Sequence, residues 1–297
     1  MRPKHLEWHR KRSDQRGFAT MPALMLLLLL ATVAGATAAY LSSSAASFAI
    51  YDDRLRAQAL MHAGVELAAF DLLSAEKGDR KAKGSVSFRL GNGSVNVDYV
   101  MEDSRFDLNF VSKNVMARLF EVLGASSEDA ANYAQRIIGW RTALSASARD
   151  REMVLYRDAG LAYGPKGSSF ASEDELWLIP GLPAALVERV LQFVTVYSGR
   201  REIDVFGAAP EVITALPGVG PKQAALFLAR REKIPRAPAA VIDLLGTGNG
   251  LVTVYSQDNV RLACSVLLDN GWRAAAEIVI QLQGGNEPYV VLSWRDT

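Results

Sequence analysis

The chain of 297 residues is long enough for one or two domains with cores of their own, and its 49% apolar and 22% charged residues are ordinary for a globular protein. The formal net charge is +1, but residues 1–17 hold six of the 33 Lys/Arg and two of the 32 Asp/Glu, so the remaining chain carries −3 and is a poor electrostatic match to nucleic acid. The single cysteine, Cys264, excludes an intramolecular disulfide, and outside residues 1–17 only His62 is available for a histidine-dependent catalytic or metal site.

A basic segment at the N-terminus precedes a long apolar one. Residues 1–17 are rich in Lys and Arg, whereas residues 18–51 contain no charged side chain. The 22 residues at 18–39 are dense in Leu and Ala, and about 20 apolar residues span a bilayer as a helix. Because basic residues precede the span, we expect the N-terminus in the cytoplasm and the body of the protein on the other side of the membrane.

Three interpretations of this segment compete. In the first, the segment is a signal anchor that stays intact. In the second, it is a signal peptide cut after the small-x-small pattern at 34–36, and in the third it is a pilin-type segment cut between Gly17 and Phe18. A basic leader that ends in Gly and is followed by Phe resembles a type IV pilin-like leader. Apolar residues continue at helical spacing through 54–73 and predict one helix over about 19–75. This length favours the pilin-type interpretation, because a signal peptide is much shorter.

The chain after this helix predicts an α+β head. Residues 85–100 have the pattern of a β-hairpin, with alternating apolar residues on both sides of a turn at 91–93. We expect this hairpin to share one antiparallel sheet, packed on the long helix, with four further strands: 251–255, 260–268, 274–282 and 289–294. The predicted organisation is a leader at 1–17, a transmembrane and spine helix at 18–83, a pilin-like sheet subdomain at 84–102 and 247–297, and a large helical (helix-hairpin-helix or SAM-like) insertion at 103–246.

Within the insertion a helix-turn-helix unit recurs. Its first copy covers 106–141 and its last covers 203–231. Between them, a helix over 170–179, a turn and a second helix over 184–197 form a related unit. We interpret each unit as an αα-hairpin with a tight turn.

The turn of the last unit matches the helix-hairpin-helix pattern of DNA-binding proteins. Its residues are Pro217, Gly218, Gly220 and Lys222, and glycines at this spacing let two helices turn tightly and present N–H groups to a phosphate. One interpretation is therefore a membrane-anchored DNA-binding or uptake receptor. Arg230, Arg231 and Lys233 follow nearby and favour this first interpretation. The other is a purely structural turn, which is favoured by the acidic body, by the missing second glycine in the related turn at 181–183 and by the lack of a combined aromatic and basic surface.

The remaining polar residues give no positive sign of catalysis. The acidic run 173–175 is expected to cap a helix that begins near Ser172, where acids suit the helix dipole. Four other aspartates lack the spacing of metal ligands: Asp103, Asp107, Asp150 and Asp158. Cys264 lies in an apolar run and is expected to be a buried, inert thiol. We therefore expect no catalytic residues and no enzyme activity.

Several elements together resemble a known family. They are the Arg-Gly-Phe junction at 16–18, the long apolar helix, Ile-Ile-Gly-Trp-Arg at 137–141, the Phe-x-x-x-Asp-Glu-Leu element at 170–176, and Val-Leu-Ser-Trp-Arg at 291–295. Over nearly its whole length, the chain is similar to the minor pseudopilin K subunit of type II secretion, also called general secretion pathway protein K.

The resemblance implies how the N-terminus is processed. Prepilin peptidase would cut between Gly17 and Phe18, and Phe18 would be N-methylated. Most pilins carry a glutamate at the fifth mature position, where it neutralises the terminal amine of a neighbouring subunit, and here that position is Pro22. A subunit that lacks this glutamate suits the tip of a filament rather than its interior.

The resemblance also implies a place and partners. The protein would sit in the inner membrane as a single-pass protein with its head in the periplasm, at the tip of a pseudopilus whose assembly it begins for the export of folded proteins across the outer membrane. Its partners would be other minor pseudopilins, the major pseudopilin filament and prepilin peptidase, with no nucleic acid. No cofactor is expected. Calcium is left open, although Gly139 and residues 142–145 stand where the family has acidic residues.

Overall fold

The computed structural model of the protein describes residues 20–143, 145–246, 250–285 and 287–297, and it divides into two units, Met1–Arg56 and Ala57–Thr297. The helices are α1 (Thr20–Ser74), α2 (Lys113–Val122), α3 (Ser127–Arg141), α4 (Ala146–Asp158), α5 (Ala184–Val190), α6 (Pro210–Ala215), α7 (Pro221–Arg230) and α8 (Pro238–Leu245). The strands are β1 (Lys83–Leu90), β2 (Gly93–Met101), β3 (Phe106–Asp107), β4 (Val194–Thr195), β5 (Ile203–Asp204), β6 (Val252–Thr253), β7 (Asn259–Leu268), β8 (Arg273–Leu282) and β9 (Tyr289–Asp296). Two 3₁₀ helices cover Glu102–Ser104 and Glu173–Leu178.

The described part of the first unit is helical throughout. Its Leu- and Ala-rich sequence favours helix, and its large apolar side chains are exposed, as in a segment that meets lipid. The hydroxyls of Thr32, Thr37 and Ser47 donate to backbone carbonyls three or four residues earlier, which satisfies them without water. Helix α1 is thus long and apolar enough to cross a membrane.

In the second unit, the last turns of α1 pack on a five-stranded antiparallel sheet in the order β1-β2-β7-β8-β9. Every other residue of β2 and β7 faces the helix, and this pattern produces one hydrophobic core from residues far apart in sequence. Gly64 allows the close approach: a Cβ there would lie 2.9 Å from Val97 Cγ2 and 3.0 Å from Val95 Cγ1. The absence of a side chain at this helix position therefore sets the distance between helix and sheet.

The helical insertion leaves and re-enters the sheet at one point. Met101 at the end of β2 pairs with Val260 at the start of β7, so the chain departs and returns on neighbouring strands. The insertion has its own hydrophobic core, built mainly from α2, α3, α5, α6 and α7 and separate from the core under α1. This arrangement lets a large segment be inserted without disturbing the hydrogen bonds between β2 and β7 or those to their neighbouring strands.

The α+β class, the long helix and the 85–100 hairpin that the sequence predicts are confirmed. Helix α1 ends at Ser74, close to the predicted end at about 75, and residues 75–82 of the predicted 18–83 segment connect it to β1. Two other boundaries were wrong. The helix expected over 170–179 is the shorter 3₁₀ helix, and the one over 184–197 stops at Val190 because the β-branched residues that follow form β4.

The strand expected at 251–255 is shorter than predicted and belongs to a different sheet. Only Val252–Thr253 is a strand, and it pairs in parallel with β5 of the insertion rather than joining the large sheet. The local alternation of apolar residues indicates a strand but says nothing about its partner. The insertion therefore extends about ten residues further along the chain than 246, and the large sheet resumes at Asn259.

Cys264 is buried on β7 against Gly64, as the sequence predicts, and burial raises the pKa of its thiol to about 11. We expect the native protein to react with Ellman's reagent at pH 8 at least about a hundredfold more slowly than the unfolded chain, because both the thiolate fraction and access are reduced. Timed absorbance with and without urea measures this. Equal rates in the two states would show that the thiol is accessible in the folded head.

Candidate functional site

The predicted processing site, Gly17 and Phe18, lies outside the described residues. Pro22 lies in the first turn of α1, where a helix has no backbone donor to lose. The side chains from Leu24 to Leu30 are each at least 60% exposed. This end of the chain therefore offers an apolar surface with no charged group over 20–51.

The helix-hairpin-helix residues Pro217, Gly218, Gly220 and Lys222 lie in the connection between α6 and α7. Gly218 has a φ of +79°, a left-handed conformation that favours glycine. Gly220 is the N-cap of α7, and Lys222 is exposed on its first turn. The turn therefore has the tight geometry that its glycines indicate.

The polar groups of this turn have partners within the protein. The Val219 N–H donates to Leu216 O at 3.2 Å, and the Gly220 N–H donates to Gln223 Oε1 at 3.1 Å. On the carbonyl side, Arg118 of α2 donates to Ala215 O at 3.1 Å and also to the carbonyls of Thr214 and Val219. Because two N–H groups that a phosphate would need are engaged, this geometry favours a structural role for the turn.

A second turn repeats this design between the 3₁₀ helix Glu173–Leu178 and α5. Gly181 has the same φ of +79° as Gly218. Here Arg136 of α3 donates to Pro180 O at 2.6 Å, as Arg118 does at the other turn. Two arginines on consecutive helices thus each fix one αα-turn of the insertion.

The insertion contains an internal repeat whose clearest mark is an identical pentapeptide. Val-Thr-Val-Tyr-Ser occurs at 194–198 and again at 252–256. The first copy contains β4, which pairs with β3, and the second contains β6, which pairs with β5. In each copy the serine hydroxyl donates to an aspartate of the partner strand: Ser198 to Asp107 at 3.3 Å, and Ser256 to Asp204 at 2.7 Å.

Each of these two aspartates also organises the turn that follows it. Oδ1 of Asp107 accepts the Asn109 N–H at 2.8 Å, and Oδ1 of Asp204 accepts the Phe206 N–H at 3.0 Å. Burial raises the pKa of Asp107, and these hydrogen bonds oppose the rise. Asp107, which the sequence left without a metal site, therefore has a structural role, and Asp204 has the same role in the second copy.

An arginine closes each repeat. Arg141, at the end of α3, donates to Val111 O at 2.6 Å, and Arg231, just after α7, donates to Ala208 O at 2.6 Å. Each acceptor lies four residues after its aspartate. The recurring unit predicted at 106–141 and 203–231 is confirmed. The pentapeptides were missed, although a search for exact five-residue repeats would have found them.

The joint between the sheet and the insertion is centred on Arg261 of β7. Its buried guanidinium donates to Glu102 at 2.6 Å, to Glu173 at 2.6 Å and to Glu277 at 2.5 Å. Glu102 follows β2 directly, Glu173 belongs to the insertion and Glu277 to β8. Burial alone would lower the pKa of Arg261, but the three carboxylates outweigh it and raise the pKa.

A second arginine of the sheet binds the same acidic segment. Arg295 of β9 donates to Asp174 at 3.0 Å, to Glu173 at 3.4 Å and to Ser172 Oγ at 3.0 Å. Ser172 caps the 3₁₀ helix by accepting the Asp174 N–H at 3.2 Å, as expected of a helix start. Glu173 is instead buried against Arg261, so the acidic run both begins a helix and holds the insertion on the sheet.

Asp103 is fully buried beside this joint. Its Oδ2 accepts from Arg200 at 2.8 Å and from the Gln257 N–H at 3.0 Å, while Oδ1 has no hydrogen-bond partner. Burial, reinforced by the nearby carboxylate of Asp204, raises the pKa of Asp103 to about 7. Asp204 itself pairs with Arg236 at 2.6 Å.

This raised pKa predicts a pH-dependent stability. The folded state binds a proton on Asp103 more tightly than the unfolded chain, so the stabilisation is complete below pH 3.8 and is lost as the pH rises through about 7. Through Asp103 the wild type should lose up to about 4 kcal/mol of unfolding free energy between pH 4 and pH 8. In Asp103→Asn this loss should disappear, as urea unfolding across that pH range would measure.

The control for this prediction is Asp98→Asn, which removes an exposed carboxylate of β2. If all three profiles coincide, Asp103 does not carry the effect.

Among the residues that the structure describes, no group of three His, Cys, Asp or Glu side chains is arranged to hold a metal ion. Glu175 of the acidic run accepts from Trp140 at 2.8 Å and from Lys166 at 2.7 Å. The buried carboxylates of the joint are thus bound to arginines, amides and hydroxyls rather than arranged around an open space.

These features define the class of the protein: a pilin-like protein in which a long apolar helix packs on an antiparallel sheet that carries a helical insertion. Comparison with known proteins adds a family match over part of the chain. Residues 94–199 match the family described as type II secretion system (T2SS), protein K. The chain is also similar in fold to a chain in the crystal structure of the GspK-GspI-GspJ complex from the enterotoxigenic Escherichia coli type 2 secretion system, with a TM-score of 0.61 and 17% identity over 81% of this chain and 96% of that one.

Comparison with curated protein sequences gave no match. The family match and the shared fold confirm the resemblance to type II secretion system protein K, a minor pseudopilin, that the sequence predicts. The matched segment runs from β2 through the first copy of the repeat, so it includes Glu102 and Glu173 of the joint and Asp107 of the repeat.

Proposed function

We propose that this protein is a non-enzymatic minor pseudopilin at the tip of a type II secretion pseudopilus, where it begins assembly of the filament that exports folded proteins across the outer membrane. The observation that carries the proposal is the helical insertion on a pilin-like sheet, matched over most of the chain by the fold of a secretion-system subunit. Buried ion pairs join the insertion to the sheet, and two arginines fix its turns, so its polar groups have structural roles.

The N-terminal segment supports the position at the tip. An uncharged helix that begins near Pro22 has no glutamate to neutralise the terminal amine of a subunit beside it. An unpaired amine is costly in lipid, so such a subunit is disfavoured inside a filament and tolerated where the filament starts.

The proposed partners follow from the same family. In the solved complex a protein of this fold occurs together with two other subunits, GspI and GspJ. We infer corresponding minor pseudopilins as partners here, followed by the major pseudopilin filament, with prepilin peptidase acting once on the leader. The basic residues 1–17 support an orientation with the N-terminus in the cytoplasm and the head in the periplasm, and we infer that the anchor lies in the inner membrane. No cofactor is proposed, and the internally bonded N–H groups of Val219 and Gly220 in the helix-hairpin-helix turn support a structural role rather than nucleic-acid binding.

Gly17→Ala tests the proposal, because pilin-type cleavage requires the glycine before Phe18. We expect the variant to keep its leader. Cells that carry this variant should also fail to secrete the exported proteins. Mass spectrometry of the N-terminus recovered from membranes should give methylated Phe18 for the wild type. Gly35→Ala makes the same change within α1, where a Cβ would meet no atom within 4 Å, and should be processed normally. Full secretion by an unprocessed Gly17→Ala protein would refute the proposal.

A further inference from the structure

Strand β9 leaves one edge of the large sheet open. Within the described residues it pairs with β8 on one side and with no strand on the other. The Gln283 N–H donates to Pro288 O, and the register then directs the N–H and C=O groups of Tyr289 and Val291 away from β8. Such groups are a template for another strand.

The side chains along this edge are unusually apolar for an open one. Val290, Val291 and Leu292 are consecutive and between 36% and 43% exposed. No proline interrupts the strand, and its charged residues, Arg295 and Asp296, come at its end. Native edge strands are normally protected by charges, proline or bulges. The register of β9 against β8 shifts only after Val291, so residues 289–291 form a regular, uncharged stretch that is suited to being covered.

Beside the edge lies a groove of about 720 Å³ between α1 and the segment that leads into β9. It is lined mainly by Phe70, Leu73, Pro288 and Tyr289. Phe70 is 69% exposed, the highest value among the large apolar side chains of the head. A side chain on a strand added to β9 would point into this groove, because alternate residues of a strand face the helix.

The groove has an acidic rim. Glu66 and Glu287 both line it and are exposed, and neither forms an ion pair within the described residues. Glu66 faces the ring of Tyr289, whose pKa is raised by burial and further by this carboxylate. A second copy of the chain would bring like charges together here, whereas a partner with Lys or Arg would be attracted.

We propose that a partner subunit adds an extended strand to the open edge of β9, placing an apolar side chain in the groove beside Phe70 and a Lys or Arg against Glu66 and Glu287. The proposal rests on the proposed function, since the partner is one of the minor pseudopilins inferred above. Main-chain hydrogen bonds to Tyr289 and Val291 would provide affinity, and the groove and its charge would provide selectivity.

The test uses the full chain in mild detergent with the other minor pseudopilins of the same secretion system. Hydrogen exchange of the β9 amides is measured in the isolated protein and in the complex. Val291→Pro removes one outward N–H, and an edge strand tolerates proline at such a position. Val291→Thr retains the N–H and the branched shape, and serves as the matched control. The double change Glu66→Lys and Glu287→Lys tests the rim, with a charge reversal at the exposed Glu188 of α5, Glu188→Lys, as its control.

We expect complex formation to slow exchange at Val291, and Val291→Pro to weaken association about five- to tenfold, the size expected for one lost hydrogen bond. The double charge reversal should weaken it about tenfold, with both controls unchanged. A complex that forms without slower exchange in β9, or that is indifferent to both test variants, overturns the strand addition and leaves the proposed function standing. Failure of any complex to form overturns both, and self-association through β9 overturns the choice of partner.

Discussion

Replacing Arg261 with alanine is expected to destabilise the head by about 3–5 kcal/mol, the usual cost of leaving buried charges without their partner. The guanidinium is the shared partner of Glu102 and Glu173, both of which are buried, and of half-buried Glu277. Within the described residues, its loss leaves Glu173 with the longer ion pair to Arg295 at 3.4 Å and with the positive charge of Arg105 nearby. Urea unfolding of the full chain in detergent, followed by near-ultraviolet circular dichroism, measures the change.

The matched control is Arg89→Ala. Arg89 also forms an ion pair, with Asp269 at 2.7 Å, but both side chains are more than half exposed. Its removal should cost less than about 1 kcal/mol, as is usual for a surface pair. Equal destabilisation by the two variants would mean that burial of the Arg261 network does not determine its contribution.

Gly64→Val should destabilise the head by about 3 kcal/mol or more, because the new atoms have no space between α1 and the sheet. The Cβ alone would contact Val97 and Val95 at 3.0 Å or less, so the helix must move away from both strands. Movement of α1 would also uncover Cys264, whose Sγ would lie 3.4 Å from that Cβ. Urea unfolding gives the stability, and the rate of thiol modification reports the movement.

Gly35→Val provides the control in the same helix. A Cβ at Gly35 meets nothing within 4 Å, so the substitution should leave the stability of the head unchanged. If Gly64→Val unfolds at the same urea concentration as wild type and keeps its thiol protected, the close packing at Gly64 does not limit the approach of helix and sheet.

The insertion shows which of its elements local sequence patterns determine and which they do not. Helical periodicity located α2, α3, α6 and α7 to within a few residues, since these helices depend mainly on near neighbours in the chain. The pairing of β3 with β4 and of β5 with β6 could not be found in the same way. Strands of two residues have too little pattern to reveal a partner, and only the pentapeptide identity at 194–198 and 252–256 indicated it.

The acidic run at 173–175 shows the same limit for the candidate site. Its role in starting a helix was predictable, because capping involves residues two or three positions apart. Its role in holding the insertion on the sheet was not predictable from the sequence. Glu173 and Arg261 are 88 positions apart in the chain, and Arg261 and Glu102 are 159 positions apart. Which charges become buried together depends on how the insertion packs against the sheet.

The sequence by itself determined the long uncharged helix, the hairpin, the α+β class and the resemblance to a secretion pseudopilin, because each follows from hydrophobic spacing or local motifs. The tertiary structure alone decided that β6 belongs to the insertion, that Arg261 joins it to the sheet, and that β9 is the edge strand beside an acidic groove. The physical reason is that strand order and charge burial are set by contacts between residues distant in the chain, for which the local pattern of residues carries no information.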